Sequence, residues 1–163
     1  MPESSRDSAF LALAVDLATA NVADGGGPFG ALIVRSDAQP GDHVVATGTN
    51  RVTRDHDATA HAEVEAIRAA GRAVGSHALT GMTLYASCEP CPLCLAAALW
   101  ARLDRLVYAA DRSDAAAAGF DDAVFHEVLA GRAGSPLAVD TLRIERAGEP
   151  FDAWSVAAGR TAY

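Results

Sequence analysis

Apolar residues recur along this chain in two rhythms, one near 3.6 and one near 2. Over residues 5–23 (SRDSAFLALAVDLATANVA), Phe10, Leu11, Ala14, Val15 and Ala18 return every three or four positions, which predicts a helix with one buried face. Gly25-Gly26-Gly27-Pro28 stops that helix. FGALIV (29–34) reads as a buried strand. After a polar turn holding Pro40 and Gly41, HVVATGTN (43–50) reads as a second, so the two form a hairpin with a long loop. A stripe of Ala60, Val64, Ile67 and Ala70 predicts a helix capped by Thr59 and running to about Arg72. MTLYAS (82–87) is a strand, Pro92 to Ala101 a short apolar helix with proline in its first turn, and RLVYAA (105–110) another strand. Residues 114–130 are alanine-rich and helical in parts around Gly119. VDTLRIER (139–146) alternates like a last strand, and PFDAWSVAAGRTAY closes the chain as helix plus tail. Strands separated by helices imply parallel pairing and a sheet covered on both faces, hence a three-layer α/β/α domain.

Composition narrows the setting. The 163 residues suit one domain with one core, with no internal repeat or linker to divide it. Half the residues are apolar and 21% are charged, a globular balance. The formal net charge of -8 repels a phosphate backbone, so no nucleic acid is expected as a partner. The opening MPESSRDSAF has no basic n-region, and Asp16 interrupts the apolar run after it. Neither a leader nor a membrane span is expected, and the reading is a cytoplasmic protein.

That compartment changes the meaning of residues 88–94, CEPCPLC, which hold all three cysteines. Reduced thiols clustered this tightly point to metal or catalysis rather than to disulfides. Cys91 and Cys94 are three apart at a strand-to-helix junction, on one face of a helix start. TAHAE (59–63) places His61 and Glu63 in the first turns of another helix. Two helix starts can converge at one end of a sheet, making His61, Cys91 and Cys94 three ligands of one zinc ion per subunit. Three N/S ligands with one open position describe a catalytic site rather than a structural one. Glu63, two residues from His61, is placed to take a proton from water and pass it on. H-x-E followed by P-C-x-x-C is the signature of zinc-dependent nucleobase and nucleoside deaminases. Cys88 falls outside it and reads as a packed neighbour.

Blander readings stand beside these. The cysteines could be small buried hydrophobes, an iron–sulfur site one thiolate short, or a structural zinc site completed by Cys88. Glu63 could be a solvated helix carboxylate. His43, His56, His77 and His126 lack partner spacing and read as surface or loop residues. Phe29 and Trp100 default to core packing, Asp121 and Asp122 to a cap or a solvated pair, and Tyr163 to a frayed end.

Nearly the whole chain resembles the bacterial guanine deaminases of the cytidine deaminase-like superfamily. The resemblance runs through GGPFGALIV (26–34), TNRVTRDHDATAHAEVEAIR (49–68), LYASCEPCPLCLAAALWAR (84–102), YAADRSDAAAAGFDD (108–122) and FDAWSVAAGRTAY (151–163). It implies a cytidine deaminase-like α/β fold around a central mixed five-stranded sheet. It also implies hydrolytic conversion of guanine to xanthine and ammonia, with zinc on His61, Cys91 and Cys94 and Glu63 as proton shuttle. Phe29 and Trp100 would wall the base pocket, with Ala62 also at the substrate. Asn50 would hydrogen-bond the purine, and Asp122 would contact the base edge. Tyr163 would reach the pocket of a second subunit, because such proteins resemble homodimers that swap a C-terminal segment, here about 148–163. Arg51 departs from the pattern at the pocket rim. Rival substrates are a guanosine-type nucleoside, a triazine such as ammeline, cytosine or tRNA adenosine; the rival class is a structural-zinc interaction module.

Overall fold

The computed structural model describes residues 3–120 and 122–162. The chain runs α1 (Glu3–Ala23), β1 (Gly30–Arg35), β2 (Ala46–Thr49), α2 (Val52–Asp55), α3 (Ala62–Val74), β3 (Met82–Cys88), α4 (Pro92–Trp100), β4 (Arg105–Ala110), α5 (Arg112–Ala117), α6 (Ala123–Leu129), a 3-10 turn (Glu145–Gly148) and α7 (Glu149–Val156). The sheet among the described residues has four strands in the order β2-β1-β3-β4. β1 pairs antiparallel with both β2 and β3, and β3 pairs parallel with β4.

Alternation within the strands builds two cores. Ala31, Ile33 and Leu84 face α3 and α4, where Ala62, Ala66, Ala70 and Ala98 are buried. Leu32, Val34 and Tyr85 face Phe10 and Ala14 of α1. The three layers are therefore α1, the sheet, and α3 with α4. α1 ends in a left-handed Gly25 (φ 78°), with the Gly25 N–H on Val22 O and the Gly26 N–H on Asn21 O. This is a Schellman closure, which satisfies carbonyls the helix would otherwise orphan.

Four expectations need correction. The sheet has four strands rather than five. Residues 139–146 are irregular and end in the 3-10 turn, and Leu142 is 87% exposed. Their alternation has no neighbouring strand edge to pair with, and period 2 alone does not make a strand. The second strand starts at Ala46 rather than His43, and the unforeseen single turn α2 follows it. Strands separated by a helix are not all paired: β2 and β3 run parallel, but β1 lies between them and pairs antiparallel with each. Finally, α3 starts at Ala62 with His61 as its N-cap. Thr59 serves instead in a turn closed on Asp57, whose Oδ1 accepts from the Thr59 N–H and hydroxyl, both at 2.7 Å.

Candidate active site

Two helix starts meet at one end of the sheet. His61 caps α3 and Cys91 caps α4, both in extended backbone, and neither side chain makes a capping hydrogen bond. Pro92 follows Cys91 at the first helical position, where a missing N–H costs nothing. The side chains turn to one another instead. His61 Nδ1 lies 3.5 Å from Cys91 Sγ and 3.4 Å from Cys94 Sγ, and the two sulfurs are 3.5 Å apart. Tetrahedral ligands at zinc's bond lengths, about 2.3 Å to sulfur and about 2.0 Å to nitrogen, lie roughly 3.5–3.8 Å apart. The triad fits zinc in donor type and in spacing. Among the described residues it is the cluster whose ligand atoms lie within 4.8 Å of one another. Cys88 stays outside it, its thiol directed at the Asp111 carbonyl (3.6 Å), and burial pushes that thiol up.

The electrostatics favour a cation. Cys91 is held down to about 4, first by the hydrogen bond from Cys94 and then by His61, against burial. Cys94 is pushed up, first by the thiolate it donates to. The pair thus shares one proton, the first lost easily and the second tightly held. His61 is pushed up chiefly by its bond to Cys91. A divalent ion would replace the charge these protons supply, and the positive N-termini of α3 and α4 help hold the cysteines as the thiolates that bind it.

Glu63 is 8% exposed in the first turn of α3 and faces the triad. Burial pushes its carboxyl up, opposed by hydrogen bonds to backbone and to Cys94. A carboxyl raised in this way exchanges protons more readily near neutral pH.

Triad and carboxylate open on a cavity of about 530 Å³. Gly25 to Gly27, Phe29, Asn50, Cys88, Glu89, Arg112, Phe120 and Asp122 line it with His61, Glu63 and Cys91. Phe29 and Phe120 meet edge to face, centroids 4.9 Å apart. Asn50 is anchored by its backbone: its N–H donates to Phe29 O (3.1 Å), and its carbonyl accepts from Asn21 Nδ2 (2.8 Å). Arg112 grips Glu89 with its guanidinium and its own N–H, tying α5 to the β3–α4 loop.

The family model of the cytidine and deoxycytidylate deaminase zinc-binding region matches residues 4–110. The chain belongs to this deaminase family. The chain is 43% identical to the guanine deaminase of Bacillus subtilis over 156 residues, 94% of this chain and 97% of that one. Against the X-ray structure of that enzyme the TM-score is 0.85, covering 100% and 99% of the two chains at 40% identity. A tRNA-specific adenosine deaminase of Buchnera aphidicola is 36% identical over 112 residues, 69% of this chain and 71% of its own. A solved structure holding 8-azaguanine, 36% identical, gives a TM-score of 0.65 over 69% of this chain and 63% of that one.

In this zinc deaminase the residues read from sequence divide. His61, Glu63, Cys91, Phe29, Asn50 and Asp122 share the cavity, and Cys94 is buried behind Cys91. Ala62 is buried one residue after the cap and does not line the cavity. Trp100 ends α4, 60% exposed, outside the cavity, with the Arg102 guanidinium 5.7 Å from its ring. Arg51 also stays off the lining and bonds Asp55 on α2. Tyr163 and Asp121 lie outside the described residues. Sequence reasoning missed Phe120, Glu89 and Arg112. The signal for Phe120 was its place in AGFDD beside Asp122; Glu89 and Arg112 gave none, since their pairing spans 23 residues. His126, read as surface, has Nε2 3.6 Å from Asp122 Oδ2.

Proposed function

We propose that the chain hydrolyses guanine to xanthine and ammonia. Supporting this most strongly is the extent of the likeness to the Bacillus subtilis guanine deaminase. It runs past the family region ending at residue 110 and through the segment that brings Phe120 and Asp122 to the cavity. The tRNA-specific relative from Buchnera matches only 69% of the chain.

Zinc held by His61, Cys91 and Cys94 supplies Lewis acidity toward water near neutral pH. Glu63 accepts a proton from the attacking water and delivers it to a ring nitrogen; it then takes the remaining proton from the new hydroxyl on the carbon and passes it to the departing amine as the carbonyl forms. Water and guanine go in; xanthine and ammonia come out. The planar base slides against Phe29 and Phe120. Asn50 offers donor and acceptor to the purine edge, and Asp122 accepts from its N–H groups. Polar groups that must be paired reject analogues lacking the partner atoms. A thiolate-rich metal site suits the reducing cytoplasm.

Two apolar surfaces support a homodimer. Leu95, Leu99 and Trp100 are exposed along α4, and Phe151, Trp154 and Val156 are exposed on α7. Surfaces of this kind mark protein contacts. In this reading segment 148–163 crosses to a second copy and Tyr163 completes that copy's pocket.

The test is ammonia release by zinc-loaded protein from guanine, guanosine, cytosine, cytidine, adenine and ammeline. Guanine leads in this reading, and Glu63→Ala keeps zinc while losing at least about 100-fold in kcat. A lead by any other compound, or an active Glu63→Ala, rejects it.

A further inference from the structure

A buried asparagine at the back of the cavity is used by none of the chemistry described so far. Asn21 lies in the last turns of α1 and is 4% exposed. Burying an amide without partners is costly, and this one is fully engaged. Its Nδ2 donates to Gly27 O and to Asn50 O, both at 2.8 Å. Its Oδ1 accepts from Arg54 Nη2 (3.4 Å), which also reaches Asp24 O (3.2 Å). Its own carbonyl takes the Gly26 N–H at 2.8 Å. One side chain thus joins the end of α1, the glycine turn that forms one cavity wall, the residue after β2, and α2.

We infer that Asn21 is a positioning residue for the purine contact made by Asn50. This rests on the reading that Asn50 binds the base. The Asn50 N–H donates to Phe29 O, and the peptide that follows Asn50 is held on both sides, its carbonyl under the Asn21 amide and its Arg51 N–H on Ala60 O (2.9 Å). The Asn50 side chain has one local bond, with Oδ1 accepting from the Val52 N–H at 3.3 Å. Without Asn21 the carbonyl of the peptide after Asn50 loses its partner, and that peptide keeps only the Arg51 N–H on Ala60 O. It can then tilt about that one bond, and the side-chain amide no longer presents a fixed edge to the cavity. Asn21 makes no contact with the triad or with Glu63, so its loss acts on substrate binding and not on proton transfer.

A two-by-two set of variants tests this: wild type, Asn21→Ala, Asn50→Ala and the double variant. KM and kcat for guanine, zinc content and thermal unfolding are measured on each. Asn21→Ala raises KM about tenfold and lowers kcat by less than about threefold, with zinc retained. In the Asn50→Ala background the same change costs less than about twofold, because the contact it positions has gone. Asn21→Asp, which turns an acceptor toward two carbonyls, behaves like Asn21→Ala or worse. Should the Asn21 variants fail to fold, Arg54→Ala frees the amide from the surface side. It then raises KM about twofold to threefold in wild type and not with Asn50→Ala. Independent, multiplying effects of Asn21 and Asn50 would mean a merely structural role and overturn the inference. An Asn50→Ala variant with normal KM overturns the Asn50 reading and this one with it. A strong Asn50→Ala defect with indifferent Asn21 and Arg54 variants overturns only this one.

Discussion

Gly48 offers the sharpest test of how the fold holds the site. It sits in β2 opposite Ala31, where α3 crosses the strand. A Cβ at this position would lie 2.1 Å from Ala62 O and 2.4 Å from Ala66 N, and real Cβ atoms essentially never approach within 3.0 Å. Both obstructing atoms are helix backbone, so no rotamer relieves the clash. In Gly48→Ala the first turn of α3 must retreat by about 1 Å. That turn carries His61 and Glu63, while Cys91 and Cys94 stay on α4. Overpacking of this kind costs about 1–3 kcal/mol. At about 2–4 °C per kcal/mol for a chain of this length, Tm falls by about 2–12 °C. Zinc sites tolerate ligand shifts of only about 0.2 Å, so affinity falls with it. A reacting group misplaced by 1 Å loses about 100-fold in rate. Thermal unfolding, zinc competition against a chromogenic chelator and kcat/KM read the three effects. A Gly48→Ala protein with wild-type Tm, zinc affinity and turnover would refute the claim that this close approach sets the α3 ligands.

Three further outcomes follow from other parts of the structure. Asp7 accepts from Tyr85 Oη (2.6 Å) and from both Arg105 Nη atoms (2.8 and 2.7 Å), and Arg105 chiefly holds its carboxyl down from 3.8 to about 2. A folded-state value below the unfolded one gives stability that is present above about pH 4 and lost as pH falls toward 2. With solvent reaching Arg105, the effect is about 1 kcal/mol, and Asp7→Asn flattens the urea-midpoint profile below pH 4; identical slopes for the two proteins reject it. Cys94→Ser loses zinc and turnover together, since a hydroxyl does not replace a thiolate for this ion, and zinc analysis by mass spectrometry checks the metal; full occupancy would remove Cys94 from the ligand set. Deleting residues from Phe151 onward shifts the protein to monomer in analytical ultracentrifugation and lowers guanine turnover, and an unchanged, fully active dimer rejects the swap.

Local chemistry was legible in the chain before any fold was known. H-A-E and P-C-P-L-C are each a few residues long, so the signature they carry could propose the ligands and the proton carrier from sequence. β1, β3 and β4 were readable for the same reason: their apolar runs are dense enough to be strands wherever they sit. What spans tens of residues was not. The alternation of 139–146 looks like that of a strand, but a strand exists only against an edge that supplies its hydrogen bonds, and here none does. The family resemblance placed Trp100 at the pocket, and it lies 60% exposed outside this cavity, whereas Phe120 packs on Phe29 across 91 positions of sequence. Asn21 gave no signal, because its partners are carbonyls brought to it by the α1 closure and the end of β2. Identity and spacing set which atoms can bind a metal or move a proton. Only tertiary packing sets which walls, edges and buried amides surround them, because those contacts depend on close approaches between backbones, such as α3 over Gly48, that no local stretch encodes.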